Sequence, residues 1–90
     1  MINLDDILDL SSLTRDEIAA LAEHRHMGRV NAALMGEWLM RHHGGAHKIE
    51  QAICEDIRAA LHRGDAAHAR DLYATLHAFV QAHPEAVRGA

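Results

Sequence analysis

Ala46-His47-Lys48-Ile49-Glu50-Gln51-Ala52-Ile53-Cys54-Glu55-Asp56-Ile57-Arg58-Ala59-Ala60-Leu61-His62-Arg63 is the stretch that decides the fold. Ile49, Ile53, Ile57, Ala60 and Leu61 recur at intervals of three and four, which places them on one face of a helix, whereas a strand would need alternation. Gly64 ends that run and Asp65 caps the next. The segment that follows carries Ala69, Leu72, Tyr73, Leu76, Phe79 and Val80 on one stripe and ends before Pro84, which cannot continue a helix.

Upstream, the same signals repeat. Asn3 and Asp6 stand as a helix cap and its third residue, and Leu4, Ile7 and Leu8 make a short apolar stripe closing at Ser11-Ser12. Thr14-Arg15-Asp16-Glu17 is a capping box, with its acidic residues where the helix dipole favours them. It opens a second helix to about His26, with Ile18, Leu21, Ala22 and Arg25 inward. Gly28 is expected to break the chain before a third helix from about Arg29 to His43, stopped by Gly44-Gly45. No segment alternates with period two. The expected fold is all-α: a compact bundle of four main helices plus a short N-terminal helix, one domain over residues 1–90 with a flexible tail from about residue 85.

The third helix has little polar face. Val30, Leu34, Met35, Trp38 and Leu39 fill one side, and Ala32, Gly36 and Met40 lie roughly opposite. Such a helix must be covered on both sides, either as the centre of the domain or by packing its small residues on another copy. An interaction surface of Ala32, Gly36, Met40 and Trp38 is therefore expected, in a small helical interaction or regulatory protein that forms a homodimer.

Composition narrows the partners. The formal charge is −4 with histidines neutral, and basic residues are scattered, so neither nucleic acid nor anionic lipid has an electrostatic footprint to meet. Seventeen alanines suit helices that approach closely. The start, Met1-Ile2-Asn3-Leu4-Asp5-Asp6, shows no basic region leading into an apolar core, and the single Cys54 cannot form an intrachain disulfide. A soluble cytoplasmic protein is expected. Catalysis has little to stand on, since neither a nucleophile elbow nor a phosphate-cradling glycine loop is present.

Nine histidines invite a search for ligands. His42, His43 and His47 flank Gly44-Gly45, and His47, Glu50 and Cys54 fall on one flank at spacings of three and four, a set that could take zinc if the thiol ionised. Glu23-x-x-His26 has the spacing that di-iron bundles use, with Asp65-x-x-His68, Glu37 and Glu50 as the nearest further ligands. Glu23, His26 and His68 thus form a second candidate cluster, for iron. Haem would draw on His68 or His83 with Met27, Met35 or Met40, but no Cys-x-x-Cys-His attachment is present. The reading therefore requires no cofactor and keeps a zinc or iron protein as its alternative. His68 and His83 project onto the apolar stripe of the last helix. If they are buried neutral, acidification below about pH 6 should weaken the fold, because charging them there is costly.

Gly64-Asp65 with Ala69, Tyr73, Leu76 and Pro84 resembles the turn and second helix of a tetratricopeptide repeat, which implies a helical hairpin. Leu13-Thr14 through Leu34, with Ala19 and Ala20, resembles a helix-turn-helix. Its recognition helix would present Val30, Ala33 and Leu34 where DNA readers place Arg, Asn and Gln.

Overall fold

The computed structural model describes residues 3–88. Six helices follow in chain order: α1 (Leu4–Asp9), α2 (Arg15–Arg25), α3 (Arg29–Met40), α4 (Gly45–His62), α5 (Ala66–Ala82) and α6 (Glu85–Arg88). The protein is all-α, with no strand among the described residues. Four main helices and the short α1 stand as expected, and α6 is an addition. The tail expected from residue 85 is helical through Arg88, with Ala86 fully buried. Its last residues, Gly89 and Ala90, lie outside the described residues, as do Met1 and Ile2 and the side chains of Leu4 and Ile7.

The helix starts are made by the residues that announce them. Asn3 and Asp6 close a reciprocal capping box on α1, and Thr14 and Glu17 close another on α2. Asp65 accepts from the His68 backbone N–H at 3.1 Å to open α5. Helix ends are less literal. Gly64, at φ +77°, ends α4 in the left-handed conformation, with Asp65 N–H donating to the Ala60 carbonyl. The second helix uses His26 for the same turn, at φ 55°, and Met27 N–H returns to the Ala22 carbonyl. Gly28, the expected break, is in extended conformation ahead of α3.

Packing centres on the hairpin of α4 and α5. Ile49, Ile53 and Ala60 of α4 are buried with Ala69, Leu72 and Phe79 of α5. Fully burying a residue of the size of Phe79 or Ile49 is worth about 1.5–3 kcal/mol each. Leu61 and Tyr73, expected on those inner faces, turn outward at 59% and 62% exposure. Against the hairpin lie α2, through Ile18, Ala20, Leu21 and Ala22, and α3; Arg25, expected inward on α2, is exposed. The body measures 42 × 29 × 19 Å, so its thinnest direction holds about two helix diameters of ~10 Å. No helix in so thin a body is covered all round.

Contact is closest where small residues meet. A Cβ on Gly45 would lie 1.6 Å from the Leu39 carbonyl oxygen, so only glycine lets α4 start against the end of α3. A Cβ on Gly36 would lie 2.2 Å from Leu13 Cδ1 and 3.6 Å from Leu21 Cδ2.

Candidate functional site

Helix α3 buries its small residues and one leucine. Ala32, Ala33, Gly36 and Leu39 are buried, whereas Leu34 and Trp38 are 61% and 57% exposed. Leu34 and Trp38 lie one turn apart and form a stripe, which Arg41 extends by position. The Trp38 ring stacks on the His42 imidazole with centroids 3.8 Å apart, and His42 Nδ1 meets the Trp38 carbonyl oxygen. This reverses the expected surface. Ala32 and Gly36 are core positions of the single chain, filled from outside by Leu13 and Leu21, and Met40 is half-buried against the core. Of the four expected residues only Trp38 faces solvent. The reason is steric, because the small side of α3 lets the α1–α2 turn and α2 approach more closely than its large side would.

Glu37 holds that arrangement in place. Its Oε1 accepts from the Ser11 hydroxyl at 3.2 Å and from both the hydroxyl and the backbone N–H of Ser12. Those bonds, the Ser12 hydroxyl first, hold its carboxyl below the ordinary carboxylate range against a smaller opposing effect of burial. The turn so clamped delivers Leu13 onto Gly36. Sequence reading saw Glu37 only as a remote iron ligand, although it is the one acidic residue on α3 and therefore the signal that was available.

A second surface opens between α2 and α5, a hollow of about 550 Å³. Its floor includes Ala19, Ala20, Leu72 and Ala78; Asp16, Glu23 and Asp71 supply its carboxylates. Glu23 Oε1 and His68 Nε2, 2.8 Å apart, tie the two helices at one end. The second candidate cluster is thus half assembled. Glu23 meets His68, a residue 45 positions away, while His26 is spent on the exposed left-handed turn.

The expected metal flank is only partly gathered. His42 is engaged with Trp38, and His43 is exposed. His47, Glu50 and Cys54 do line one shallow hollow of about 270 Å³. However, His47 Nδ1 is 2.7 Å from the Ala86 carbonyl oxygen, and the Cys54 thiol donates to Glu50 at 3.3 Å. Burial first, and then that bond and the charge of Glu50, push the thiol above its ordinary value, so it stays protonated at neutral pH and is a poor ligand or nucleophile. Among the described residues no group of three His, Cys, Asp or Glu side chains is placed to hold a metal ion.

The remaining histidines are interhelical or surface groups. His24 Nδ1 lies 2.9 Å from Asp56 Oδ1 and joins α2 to α4, a pairing across 32 positions that no local pattern announces. His68 and His83, expected on an apolar stripe, have carboxylates beside them: Glu23 at 2.8 Å and Glu85 at 3.4 Å. Neither side chain is enclosed, at 30% and 23% exposure. His83 also lies over Phe79, with ring centroids 4.9 Å apart.

No described helix is long and apolar enough to cross a membrane. Comparison with protein-family models, curated proteins and solved structures finds no match to this chain.

Proposed function

We propose that the chain is a small helical interaction protein that self-associates through the exposed face of α3, with a homodimer as the smallest assembly. The single observation that carries this reading is the exposed pair Leu34 and Trp38, stacked with His42, on a helix whose other side is already filled. Isolated exposed apolar residues are ordinary, but a tryptophan and a leucine one turn apart form a contact surface. Trp is also among the side chains that most often anchor protein interfaces. The half-buried lone cysteine suits a reducing, cytoplasmic setting.

Magnitude limits what the pair can do alone. Covering a leucine completely is worth about 1.5–3 kcal/mol, whereas association costs about 4 kcal/mol or more in lost freedom. A flat contact of two such stripes would therefore be marginal, and useful affinity needs a recess.

Trp38 is the only tryptophan, so its emission reports its own environment. Its spectrum should shift to the blue as protein concentration rises, in step with the mass from light scattering, and Leu34→Glu should abolish both changes while the helix content stays constant. Emission and mass that are independent of concentration would rule the reading out.

The alternative, a histidine-dependent zinc or iron protein, draws on Glu50 standing between His47 at 3.7 Å and Cys54 at 3.3 Å. It requires a chelator to lower the melting temperature and His47→Ala to remove bound metal. An unchanged melting curve in chelator eliminates it.

A further inference from the structure

We infer that the groove between α2 and α5 receives the α3 face of a second copy, so that self-association joins two unlike surfaces of the chain. This rests on the self-association reading and supplies the recess that it needs. The α3 stripe presents Leu34, Trp38 and Arg41, whereas the groove is a hollow of about 550 Å³. That volume falls within the roughly 300–1,000 Å³ that binding pockets usually offer. Alanines in its lining, Ala19, Ala20 and Ala78, let a docking helix come close.

Charge points the same way. The groove lining contains Asp16 and Asp71, Glu23 bonded to His68, and no lysine or arginine. The α3 stripe runs towards Arg41, which enters no ion pair among the described residues, and His42 and His43 follow it. The only acidic residue on α3, Glu37, is directed at Ser11 and Ser12. Two α3 stripes packed on one another would offer neither a hollow for Trp38 nor a carboxylate for Arg41. Tryptophan and arginine seated in a recess are the side chains from which interfaces draw most of their energy.

Mixing two variants tests the pairing. Trp38→Glu spoils the inserted face and leaves the groove intact, and Ala74→Lys, at an exposed lining position of α5, obstructs the groove and leaves α3 intact. Each variant alone should associate at least about tenfold more weakly than the unmodified chain by light scattering, the loss of one anchoring contact. An equimolar mixture should recover a two-chain species, because the good face of one variant meets the good groove of the other. Asp71→Lys repeats the obstruction by charge alone, and circular dichroism establishes that all three remain helical. Ala74→Lys and Asp71→Lys proteins that both associate like the unmodified chain would overturn the groove while leaving the α3 reading intact if Trp38→Glu is monomeric. A mixture that stays monomeric would also overturn it. An unmodified chain that is monomeric at every concentration would overturn both readings.

Discussion

The α4–α5 hairpin and α3 are both rich in apolar side chains, yet they meet solvent in opposite ways. The hairpin hides Ile49, Ile53 and Phe79, and leaves Leu61 and Tyr73 outside together with alanines such as Ala59, Ala74 and Ala78. In α3 the small residues Ala32, Ala33 and Gly36 are inside, and Leu34 and Trp38 are outside. The hairpin follows the ordinary logic of burying the most apolar area. The third helix follows a different one, in which close approach of backbones decides the inner face and large residues are left for something else. In a body about two helices thick both faces cannot be covered, and the exposed face of α3 is the one that the proposed association uses.

The sharpest way to break the hairpin side of this contrast is Phe79→Ala. Phe79 is fully buried, and its loss should cost about 3–5 kcal/mol. That is comparable with the whole stability of a domain this small, of order 5 kcal/mol. The variant should be largely unfolded by circular dichroism at 25 °C.

On α3 the two sides should answer differently. Gly36→Leu drives a side chain into Leu13 and Leu21 and should lower stability by about 1–3 kcal/mol or more in urea denaturation, whatever the oligomeric state. Leu34→Ala should change the stability of the isolated chain by no more than about 0.5 kcal/mol and act on association alone. Equal loss of stability in both variants would erase the distinction between an inner small face and an outer large one.

Glu37 sharpens the contrast through pH. Its carboxyl is held below its ordinary value in the folded chain, so the stability it supplies is complete above the unfolded value of about 4.5 and is lost as pH falls through the folded value. Glu37→Gln should therefore be less stable than the unmodified chain at pH 6, by about 1–2 kcal/mol, and the gap should narrow as pH falls below about 4.5. A gap that does not narrow on acidification would mean that packing, and not the carboxylate, carries the contribution.

The smallest expected effect is at the turn between α2 and α3. His26 adopts a left-handed conformation that L side chains resist, so His26→Gly should raise stability by roughly 1 kcal/mol, read as a higher melting temperature. A decrease would give the His26 side chain a structural role besides the turn.

Much of this was legible along the chain. Asn3 with Asp6, Thr14 with Glu17, and Asp65 mark helix starts that form as written, because a cap acts within three residues of itself. Period also located the hairpin and its core. Less was legible at the candidate site. Trp38 is exposed, whereas Ala32 and Gly36, expected on the same interaction surface, are buried. Helical projection tells which residues share a side and says nothing about which side a neighbour will cover. His24 with Asp56 and Glu23 with His68 lay beyond reach for the same reason, since their partners come from helices 32 and 45 positions away.

The sequence by itself determined the helices, their caps, the turn at Gly64 and the formal net charge of −4, all of which follow from interactions within a few residues or from summed charge. Tertiary structure alone decided that α3 turns its small side inward and its tryptophan outward, and that most histidines are surface groups or paired with other side chains. Those outcomes depend on how closely two backbones can approach, a property of pairs of helices that no single helix carries.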